Sequence, residues 1–582
     1  MPNATFLNVE TSATGRRWIG PSIDSERLGM AISQATGFPP VLGQILANRN
    51  VQPEDAAAYL TPSLRELMPD PSSLIDMDKA TERFLQAVDQ NQRIAIFADY
   101  DVDGGSSAAL LIVWLRERGI NATLYIPDRI DEGYGPNNEA MAMLGRDHDL
   151  IITVDCGTLS HEPIKAAGVD VIVLDHHLGG ETLPPAVAVV NPNRQDETGD
   201  LSYLCAAAVV FLMLASANRT LRNRGETGPD LMAMLDLVAL ATVADVAPLI
   251  GFNRALVRQG LSVMANRNRV GLVALSDVAR MNSAPSSYHL GYLLGPRINA
   301  GGRVGAADLG ARLLATNDAS EAEALAERLD ALNTERRDIE ATVLAQATQQ
   351  AEERGVERGL VWAAADGWHP GVVGIVASRL KEAFNRPAVV IGIDGNEGKG
   401  SGRSVNGVDL GNAVSTCTRE GLFLKGGGHK MAAGLTVSTD KLDAAMERLT
   451  ELLEKQGSAN AGPSDLRIDG LISPTGASVE LIEQLEQAGP FGASSPAPRF
   501  ALASTRISFA KRAGDSHLRL TLIDGGGGKI DAIAFRAFES DLGPMLENHG
   551  GRAFHFAGRL EVDDWGGRRK AKLKLEDAAE AT

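Results

Sequence analysis

The sequence predicts an α/β protein in which two α/β lobes, joined by a long helix, precede a small β-barrel. Apolar strand-like runs alternate with helical stretches between residues 92 and 195, which is typical of a parallel sheet covered by helices. An amphipathic segment at 318–354 is long enough to connect two lobes. Five short alternating strands follow a polar linker near the C-terminus, and this pattern indicates a barrel.

Composition limits the class of protein. The chain has 582 residues, enough for about three or four domains. Hydrophobic residues make up 44% and charged residues 22%, as in an ordinary globular protein. The cysteines Cys156, Cys205 and Cys417 lack paired spacing, so we expect a reducing cytoplasm. No run approaches the roughly 20 apolar residues of a membrane helix, and the N-terminus lacks a signal-peptide core.

Five regions follow from these patterns. The first is helical and is punctuated by prolines, and the fourth contains the strand-like runs GLVWAAA and PAVVIGI. The predicted regions are an N-terminal helical region at 1–85, a first lobe at 86–310, a connector helix at 311–356, a second α/β lobe at 357–457 and a barrel at 464–582.

The motif DYDVDG follows the apolar run that ends at Ala98. It places Asp99, Asp101 and Asp103 at alternate positions, and residues two apart in a strand share a face. Such crowding of carboxylates is tolerable beside divalent cations, and Gly104 lets the chain turn closely around them. The alternative is that one aspartate caps the following helix while the others are solvated.

Two further apolar runs end in possible ligands. One run ends at Asp155, followed by Cys156, and the next ends at Asp175, His176 and His177. Because the carboxyl ends of parallel strands gather at one edge, we expect these side chains to converge. Carboxylate and imidazole together suit Mn²⁺ or Mg²⁺, whereas the scarcity of thiols argues against structural zinc.

A fourth acidic cluster lies in LDLVALATVADVAPL. Asp236 and Asp245 interrupt this apolar stretch, and charges are seldom buried without partners. We therefore expect Asp245, which is flanked by Ala244 and Val246 and followed by Pro248, to be the last metal ligand, whereas Asp236 fits a helix face.

The barrel predicted at the C-terminus fits an OB-fold, a class that commonly binds single strands through a basic groove and aromatic side chains. Most of its aromatics are expected in the core rather than as platforms for bases. The aromatics in question are Phe535, Phe538, Phe554, Phe556 and Trp565.

The net charge of −18 opposes nucleic-acid binding only weakly, because local potential matters more than the total. Acidic residues gather in the expected metal site and in the connector helix. Basic residues gather elsewhere, as in PRINAGGR, SGRS and the segment RRKAKLK.

Several motifs in order give the chain a resemblance to a known family. They cover nearly the whole chain from about residue 20, and they are DYDVDG, TVDCG, VLDHH, ATVADVAPL, GWHPGVVGIVASRL, KGSGRSVNGVDL, GGGHKMAAGL and GPFGASSPAPRF. The chain resembles the DHH phosphoesterase superfamily, and within it the single-stranded-DNA-specific exonucleases. Two departures are visible: Cys156 stands where that family has Asn, and Gly104-Gly105-Ser106 is looser than its usual small-residue run.

The resemblance implies a DHH lobe, a DHHA1-like second lobe and an OB-fold. It also implies 5′-to-3′ hydrolysis of single-stranded DNA to mononucleotides with two Mn²⁺ or Mg²⁺ ions, in DNA repair and recombination. The implied metal ligands are Asp101, Asp103, Asp155, His176 and Asp245. Asp99 and Asp175 would orient these ligands, and His177 would contact the scissile phosphate or the departing oxygen.

The second lobe and its surroundings are expected to hold the DNA. Glycine-rich GGGH and SGRS let backbone amides approach an anion, although the glycines also suit turns alone. His369 fits a structural hydrogen bond at a helix start as well as a substrate contact. The expected substrate residues, several of them for a 5′-phosphate, are Arg129, Arg297, Asn299, Arg303, Ser401, Arg403, Gly427, Gly428 and His429.

The resemblance also implies binding partners, and two alternative functions stay open. The partner is single-stranded DNA with a 5′ end, together with a helicase and a single-strand-binding protein, and a monomer suffices. One alternative is a related enzyme that cleaves cyclic dinucleotides or short oligoribonucleotides, which would not need the barrel. Another is a non-catalytic scaffold of the same fold, which would be expected to lose metal ligands.

Overall fold

The computed structural model describes residues 5–128, 132–133, 135–458, 465–564 and 568–581. These residues form two compact units, each made of separate chain segments. The first unit collects the described residues within Met1–Met68, Pro248–Arg258 and Pro463–Thr582, and the second those within Pro69–Ala247 and Gln259–Gly462. The bounds of the five regions that the sequence indicates remain predictions.

The described residues contain twenty α-helices, none of which is both long and apolar enough to cross a membrane. In chain order they are α1 Ile23–Thr36, α2 Pro40–Ala47, α3 Ala56–Leu60, α4 Leu64–Leu67, α5 Met77–Asp89, α6 Val102–Glu117, α7 Asn138–Asp147, α8 His161–Ala166, α9 Ala206–Asn223, α10 Leu235–Ala244, α11 Gly251–Ala265, α12 Val270–Val278, α13 Gly295–Val304, α14 Leu309–Ala315, α15 Ala319–Arg354, α16 Pro370–Phe384, α17 Leu410–Arg419, α18 Leu442–Glu454, α19 Val479–Glu486 and α20 Leu542–Glu547.

The strands build four sheets. In chain order they are β1 Trp18–Ile19, β2 Ile94–Ala98, β3 Thr123–Tyr125, β4 Leu150–Val154, β5 Asp170–Leu174, β6 Ala188–Val190, β7 Val361–Asp366, β8 Ala388–Asp394, β9 Glu397–Arg403, β10 Lys425–His429, β11 Ala432–Ser438, β12 Leu466–Arg467, β13 Gly470–Leu471, β14 Phe500–Ala513, β15 His517–Ile523, β16 Lys529–Ala534, β17 Ala553–Asp563 and β18 Lys570–Glu580.

A parallel sheet in the order β3-β2-β4-β5-β6 forms the centre of the first lobe. Strands β2 and β4 are buried along their whole length, as expected for a parallel sheet covered on both faces. The ladder pairs Ala98 with Val154 and Val154 with Leu174, so three strands end level with one another. The predicted parallel sheet is confirmed, and its register decides where the acidic strand ends lie.

The second lobe contains a mixed sheet in the order β10-β11-β9-β8-β7. Strands β7 and β8 are parallel, and the other pairs are antiparallel. One face packs on α17 and α18 through Val389, Ile391 and Leu435. The 36-residue helix α15 precedes this lobe and packs on it through Val343 and Ala347, as the amphipathic pattern predicted.

The C-terminal barrel closes through strands β14-β15-β16-β18-β17, with β17 pairing back onto β14. The predicted OB-type barrel is confirmed. Phe554 and Phe556 are fully buried in its core, and Phe538 packs against that core. Phe535 is 49% exposed, and Trp565 lies outside the described residues.

Arg254 links three chain segments inside the first unit. Its Nη2 donates to the carbonyl oxygens of Tyr59, Ala488 and Gly489 at 3.1, 3.3 and 2.9 Å. Its guanidinium carbon lies 3.8 Å from the centre of the Tyr59 ring. These carbonyls belong to the ends of α3 and α19, where helix dipoles attract a cation. Burial lowers the pKa of Arg254 to about 10, so the charge is retained at neutral pH.

We expect Arg254→Ala to lower the free energy of unfolding by about 3 kcal/mol, because it leaves buried carbonyl groups without a donor. Denaturant titration followed by circular dichroism measures this change. Arg506→Ala, which removes an exposed arginine of the same unit, is the control and should change stability by less than about 0.5 kcal/mol. Equal stability of the two variants would contradict the role given to Arg254.

Candidate metal centre

Three aspartates meet at the carboxyl edge of the parallel sheet. Asp99, Asp155 and Asp175 directly follow the strand ends Ala98, Val154 and Leu174, which the ladder holds level. All three side chains are buried. Asp155 adopts a left-handed backbone conformation, with φ +59°, which is uncommon outside glycine and is found at functional sites.

His176 joins carboxylates from three different segments. Its Nε2 lies 3.2 Å from Asp155 Oδ1 and 3.7 Å from Asp103 Oδ2. Its Nδ1 lies 3.9 Å from Asp245 Oδ2. Three sets of side chains bring possible ligand atoms within 4.8 Å of one another: Asp155 with His176 and His177; Asp103 with His176 and Asp245; and Asp99 with Asp101 and Asp155. The predicted metal residues therefore converge.

Asp155 provides the test of whether cations fit this cluster. Its Oδ1 is buried and has no hydrogen-bond donor among the described residues. Burial raises the pKa of Asp155 well above its ordinary value, and the charges of Asp101, Asp103 and Asp99 raise it further. His176 Nε2 lies 3.2 Å away but does not donate to this oxygen, and oxygen with imidazole is a donor set for Mn²⁺ or Mg²⁺. The residues fit divalent cations.

Asp101 combines two positions that the sequence left as alternatives, a helix cap and a member of the acidic cluster. It is the N-cap of α6, and its Oδ1 accepts from the amides of Asp103 and Gly104 at 2.8 and 3.1 Å. It also belongs to one of the ligand sets, with Asp99 and Asp155. Capping holds the carboxylate in place and does not remove it from the cluster.

Asp103 ties a second helix to the site. Its two oxygens accept from the amides of Ala206 and Ala207 at 2.7 and 2.8 Å, at the N-terminus of α9. Burial raises the pKa of Asp103, although His176 acts in the opposite direction. The helix terminus supplies a fixed partial positive charge to this buried carboxylate.

Asp175 holds the two histidines. Its Oδ1 accepts from the amide of His176 at 2.7 Å and from His177 Nδ1 at 2.8 Å, and its Oδ2 accepts from the amide of Thr158 at 3.0 Å. Burial acts to raise the pKa of Asp175, but these hydrogen bonds outweigh burial and lower the pKa below its ordinary value. Burial also opposes the charge on His177, but the bond to Asp175 raises the pKa of His177 to about 9.

Asp245 approaches from the end of α10. Burial, followed by the charges of Asp103 and Asp101, raises its pKa to about 8. The next residue, Val246, has φ +59°, which is a strained conformation for a β-branched side chain. Asp236 lies outside the ligand sets of the described residues and instead pairs with Arg269 at 2.8 Å.

Two asparagines that the sequence analysis missed position the histidines. Asn191 Nδ2 donates to the His177 carbonyl at 2.8 Å, and Asn193 Nδ2 donates to the His176 carbonyl at 2.6 Å. Both follow β6, which ends at the same edge of the sheet. The segment Asn191-Pro192-Asn193 directly after that strand was the available signal.

Cys156 lies beside Asp155 but faces away from the cluster. It is buried among Phe97, Ile164 and Val173, and its Sγ donates to the Val154 carbonyl at 3.4 Å. Burial raises the pKa of its thiol well above the ordinary value, so the neutral thiol persists. Cys156 is a core residue here.

Four of the five expected substrate residues of the second lobe, all except Gly428, share one face of its sheet. Cross-strand pairing places His429 beside Ala432 and Arg403, and Gly427 beside Gly434 and Ser401. Arg403 Nη1 donates to Ser401 Oγ at 3.0 Å. Gly428 points to the other face and has φ +152°, and a Cβ there would lie 2.3 Å from the Ala432 oxygen. Gly428 is therefore required by the fold.

The remaining expected residues take part in contacts within the protein. Asn299 Oδ1 accepts from the Val102 amide at 3.0 Å, and Arg303 Nη1 donates to the Gly371 carbonyl at 3.2 Å. Arg297 pairs with Asp330 of α15 at 2.8 Å. His369 is the N-cap of α16 and accepts from the Gly371 amide, as its structural interpretation predicted. Arg129 lies outside the described residues.

Three family models match the chain. They are the DHH family N-terminal domain at residues 93–242, the DHHA1 domain at 357–455 and the RecJ OB domain at 468–577.

Curated relatives and solved structures match over nearly the whole chain. The single-stranded-DNA-specific exonuclease RecJ of Dickeya dadantii is 37% identical, over 93% of this chain and 96% of the relative. The protein of the same name from Escherichia coli is 35% identical over the same shares. The crystal structure of RecJ in complex with Mn²⁺ from Thermus thermophilus aligns with a TM-score of 0.81 and 29% identity, over 96% of this chain and 79% of that one. A second structure from that organism contains Mg²⁺.

The pair formed by His177 and Asp175 predicts a titration. Because the folded pKa of His177 is raised to about 9, its protonation stabilises the fold fully below about pH 6.5, and this contribution is lost as the pH rises through 9. Asp175→Asn removes the charge and should lower the midpoint toward 6.5. NMR titration of labelled histidines in metal-free protein measures it, with His177→Gln used for assignment.

The exposed Glu181→Gln variant, which also removes one negative charge, is the control for this titration. Its His177 midpoint should remain near that of the unmodified protein. A His177 midpoint near 6.5 in the unmodified protein would contradict the pairing.

Proposed function

Because this chain belongs to the RecJ family of single-stranded-DNA-specific exonucleases, we propose that it hydrolyses single-stranded DNA from the 5′ end and releases mononucleotides. The observation that supports this most directly is the buried Asp155 Oδ1, which accepts no hydrogen bond from the described residues and lies amid carboxylates and imidazole. A phosphodiester and divalent cations are the partners that such a cluster suits.

Two Mn²⁺ or Mg²⁺ ions would be held by five residues, of which Asp155 belongs to two of the three ligand sets. When bound, such ions provide a nucleophile at neutral pH and neutralise charge on the phosphodiester. The five proposed ligands are Asp101, Asp103, Asp155, His176 and Asp245. Asp99 and Asp175 are proposed to orient these ligands. Asp175 accepts from the backbone amides of both histidines and so fixes their position.

His177 is the proposed proton donor to an oxygen of the scissile phosphate. Asp175 accepts from Nδ1, so the second proton of the cationic ring is carried on Nε2. With a pKa of about 9, the ring keeps this proton at neutral pH. His177 can therefore donate to a phosphate oxygen or to the departing oxygen without prior protonation.

The proposed 5′-phosphate pocket lies where α16 begins over strand β9. A Cβ on Gly374 would lie 3.0 Å from Ser401 Oγ and 3.2 Å from Arg403 Nη2, so the first turns of this helix lie close to both donors. Arg303 reaches the same helix at Gly371. A helix N-terminus, a hydroxyl and guanidinium groups together suit a phosphate dianion. That Arg129, Arg297 and Asn299 contact the substrate remains a prediction.

Two glycines without side-chain neighbours lie on strands β10 and β11 of the same sheet. Gly427 and Gly434 pair across β10 and β11, and a Cβ on either would meet nothing within 4 Å. Neither has a positive φ, so the backbone does not require glycine there. Glycine in a strand often allows a ligand to come close to the backbone. We propose that the DNA backbone comes close to these two glycines and that His429, on the same strand as Gly427, contacts it as well.

The barrel offers a further surface for single strands. Phe535 is half exposed, His517 packs on it edge-on at 5.2 Å, and Lys574 Nζ lies 5.6 Å from the ring centre. An aromatic ring beside a lysine suits a stacked base with its phosphate. We assign DNA binding to this face.

The cellular setting follows from the same proposal. Degradation of single strands from a 5′ end serves DNA repair and recombination, with a helicase and a single-strand-binding protein as expected partners of a monomer. The three cysteines are unpaired and buried, which suits the reducing cytoplasm.

Offering one single strand with either end labelled tests the reaction. We expect a 5′-labelled, 5′-phosphorylated strand to release labelled mononucleotide at once, while a 3′-labelled strand shortens gradually. Both reactions should require Mn²⁺ or Mg²⁺ and should stop with chelator. Preference for a dinucleotide would favour the small-substrate alternative, and binding without cleavage would favour a scaffold.

Asp101→Asn tests the metal assignment while keeping the helix cap, because an asparagine Oδ1 still accepts from the amides of Asp103 and Gly104. We expect turnover to fall by more than about 100-fold with little change in melting temperature. Asp318→Asn changes the matched N-cap of α15 and should keep the unmodified rate. Full turnover by Asp101→Asn at saturating Mn²⁺ would refute the assignment.

A further inference from the structure

Two tyrosines form an exposed stacked pair on the first lobe. Tyr288 and Tyr292 are 61% and 75% exposed. Their ring centres lie 5.4 Å apart with 24° between the ring planes. His289 packs edge-on against Tyr288 at 5.8 Å. Three rings therefore form a short array that ends at the Tyr292 ring.

The His289 ring of this array is held by polar contacts within the protein. His289 Nδ1 accepts from the Ser286 amide at 3.1 Å, and the Ser283 hydroxyl lies 3.3 Å from Nε2. The tyrosines border or lie within a π-helical turn, His289–Leu294, and such turns frequently mark functional sites. Fixed rings lose little conformational entropy when they bind a planar partner.

The same turn packs directly on segments that lead to the metal centre. A Cβ on Gly291 would lie 3.4 Å from Val243 Cγ1, and one on Gly295 would lie 3.4 Å from Ala244 Cβ and 3.9 Å from Val102 Cγ2. Ala244 precedes Asp245, and Val102 follows Asp101. Tyr292 follows Gly291 by one residue, about a quarter turn around the helix. The turn that carries the tyrosines therefore packs on the segments of two proposed metal ligands.

We infer that Tyr292, backed by Tyr288, stacks an unpaired base of the DNA strand beside the metal centre. Scattered surface aromatics need no explanation, but two exposed rings stacked one turn apart, on a turn that packs against the segments of the proposed metal centre, do. Every nucleobase has a π-face, so a ring platform binds any sequence. This inference rests on the proposed function and adds a base-binding subsite to it.

Binding of a fluorescent, 5′-phosphorylated single strand in chelator tests the subsite without turnover. Tyr292→Ala should weaken binding about 10-fold, and Tyr288→Ala should weaken it less. Tyr292→Phe retains the ring and should restore most of the affinity, whereas Tyr292→Leu retains only apolar bulk and should not. Circular dichroism confirms that each variant is folded.

Abasic substitution separates stacking from an indirect effect. On a strand whose bases near the 5′ end are replaced by abasic sites, Tyr292→Ala should weaken binding by less than about twofold. An equal loss on both strands, no loss on either, or full affinity of Tyr292→Leu would overturn the inference. Degradation of single strands by the unmodified protein is measured separately, so failure of the subsite and failure of the nuclease proposal are distinguishable.

Discussion

The register of one parallel sheet creates the constraint on which the rest of the structure depends. Because Ala98, Val154 and Leu174 are level, the aspartates that follow them are forced together in a buried place. Two unit charges 4 Å apart repel by about 4 kcal/mol at a dielectric constant near 20, and several such pairs rival the whole stability of a domain. The backbone ladder cannot relieve this repulsion without losing its own hydrogen bonds. The repulsion is therefore relieved either by protons, as the raised pKa of Asp155 indicates, or by positive charge brought to the aspartates.

Part of that positive charge is built into the fold. The N-termini of α6 and α9 direct amides at Asp101 and Asp103, and the cationic ring of His177 faces Asp175. These contacts satisfy particular oxygens and fix their positions. Within the described part of the chain they leave Asp155 Oδ1 without a hydrogen-bond donor, although the charges of Asp101, Asp103 and Asp99 act on that carboxylate. The helices therefore hold Asp101 and Asp103 in position, whereas the charge of Asp155 is left for protons or cations to neutralise.

Local patterns predicted the sheet edge and the converging acids, because each strand is an apolar run and each acid follows it directly. Features that depend on distant segments were not predictable in this way. Asn191 and Asn193 act on histidines through loop geometry, and Arg297, expected at the substrate, is paired with Asp330 of α15. The positive φ of Val246 likewise reflects tertiary packing that overrides the preference of valine. The helix-cap and metal interpretations of Asp101 proved compatible, because one carboxylate has several acceptor positions.

The proposed DNA contacts share a property that bears on specificity. Ser401 and Arg403 suit a phosphate, Gly427 and Gly434 leave room for a backbone, and Tyr292 offers a ring face. None of these groups, as assigned, reads the edge of a base, where sequence information lies. Phosphate and stacking contacts are available from any single strand, whereas paired bases in a duplex have their faces covered by neighbours. A site made from such contacts selects for unpaired strands and is indifferent to sequence, which is the selectivity that a degradative exonuclease requires.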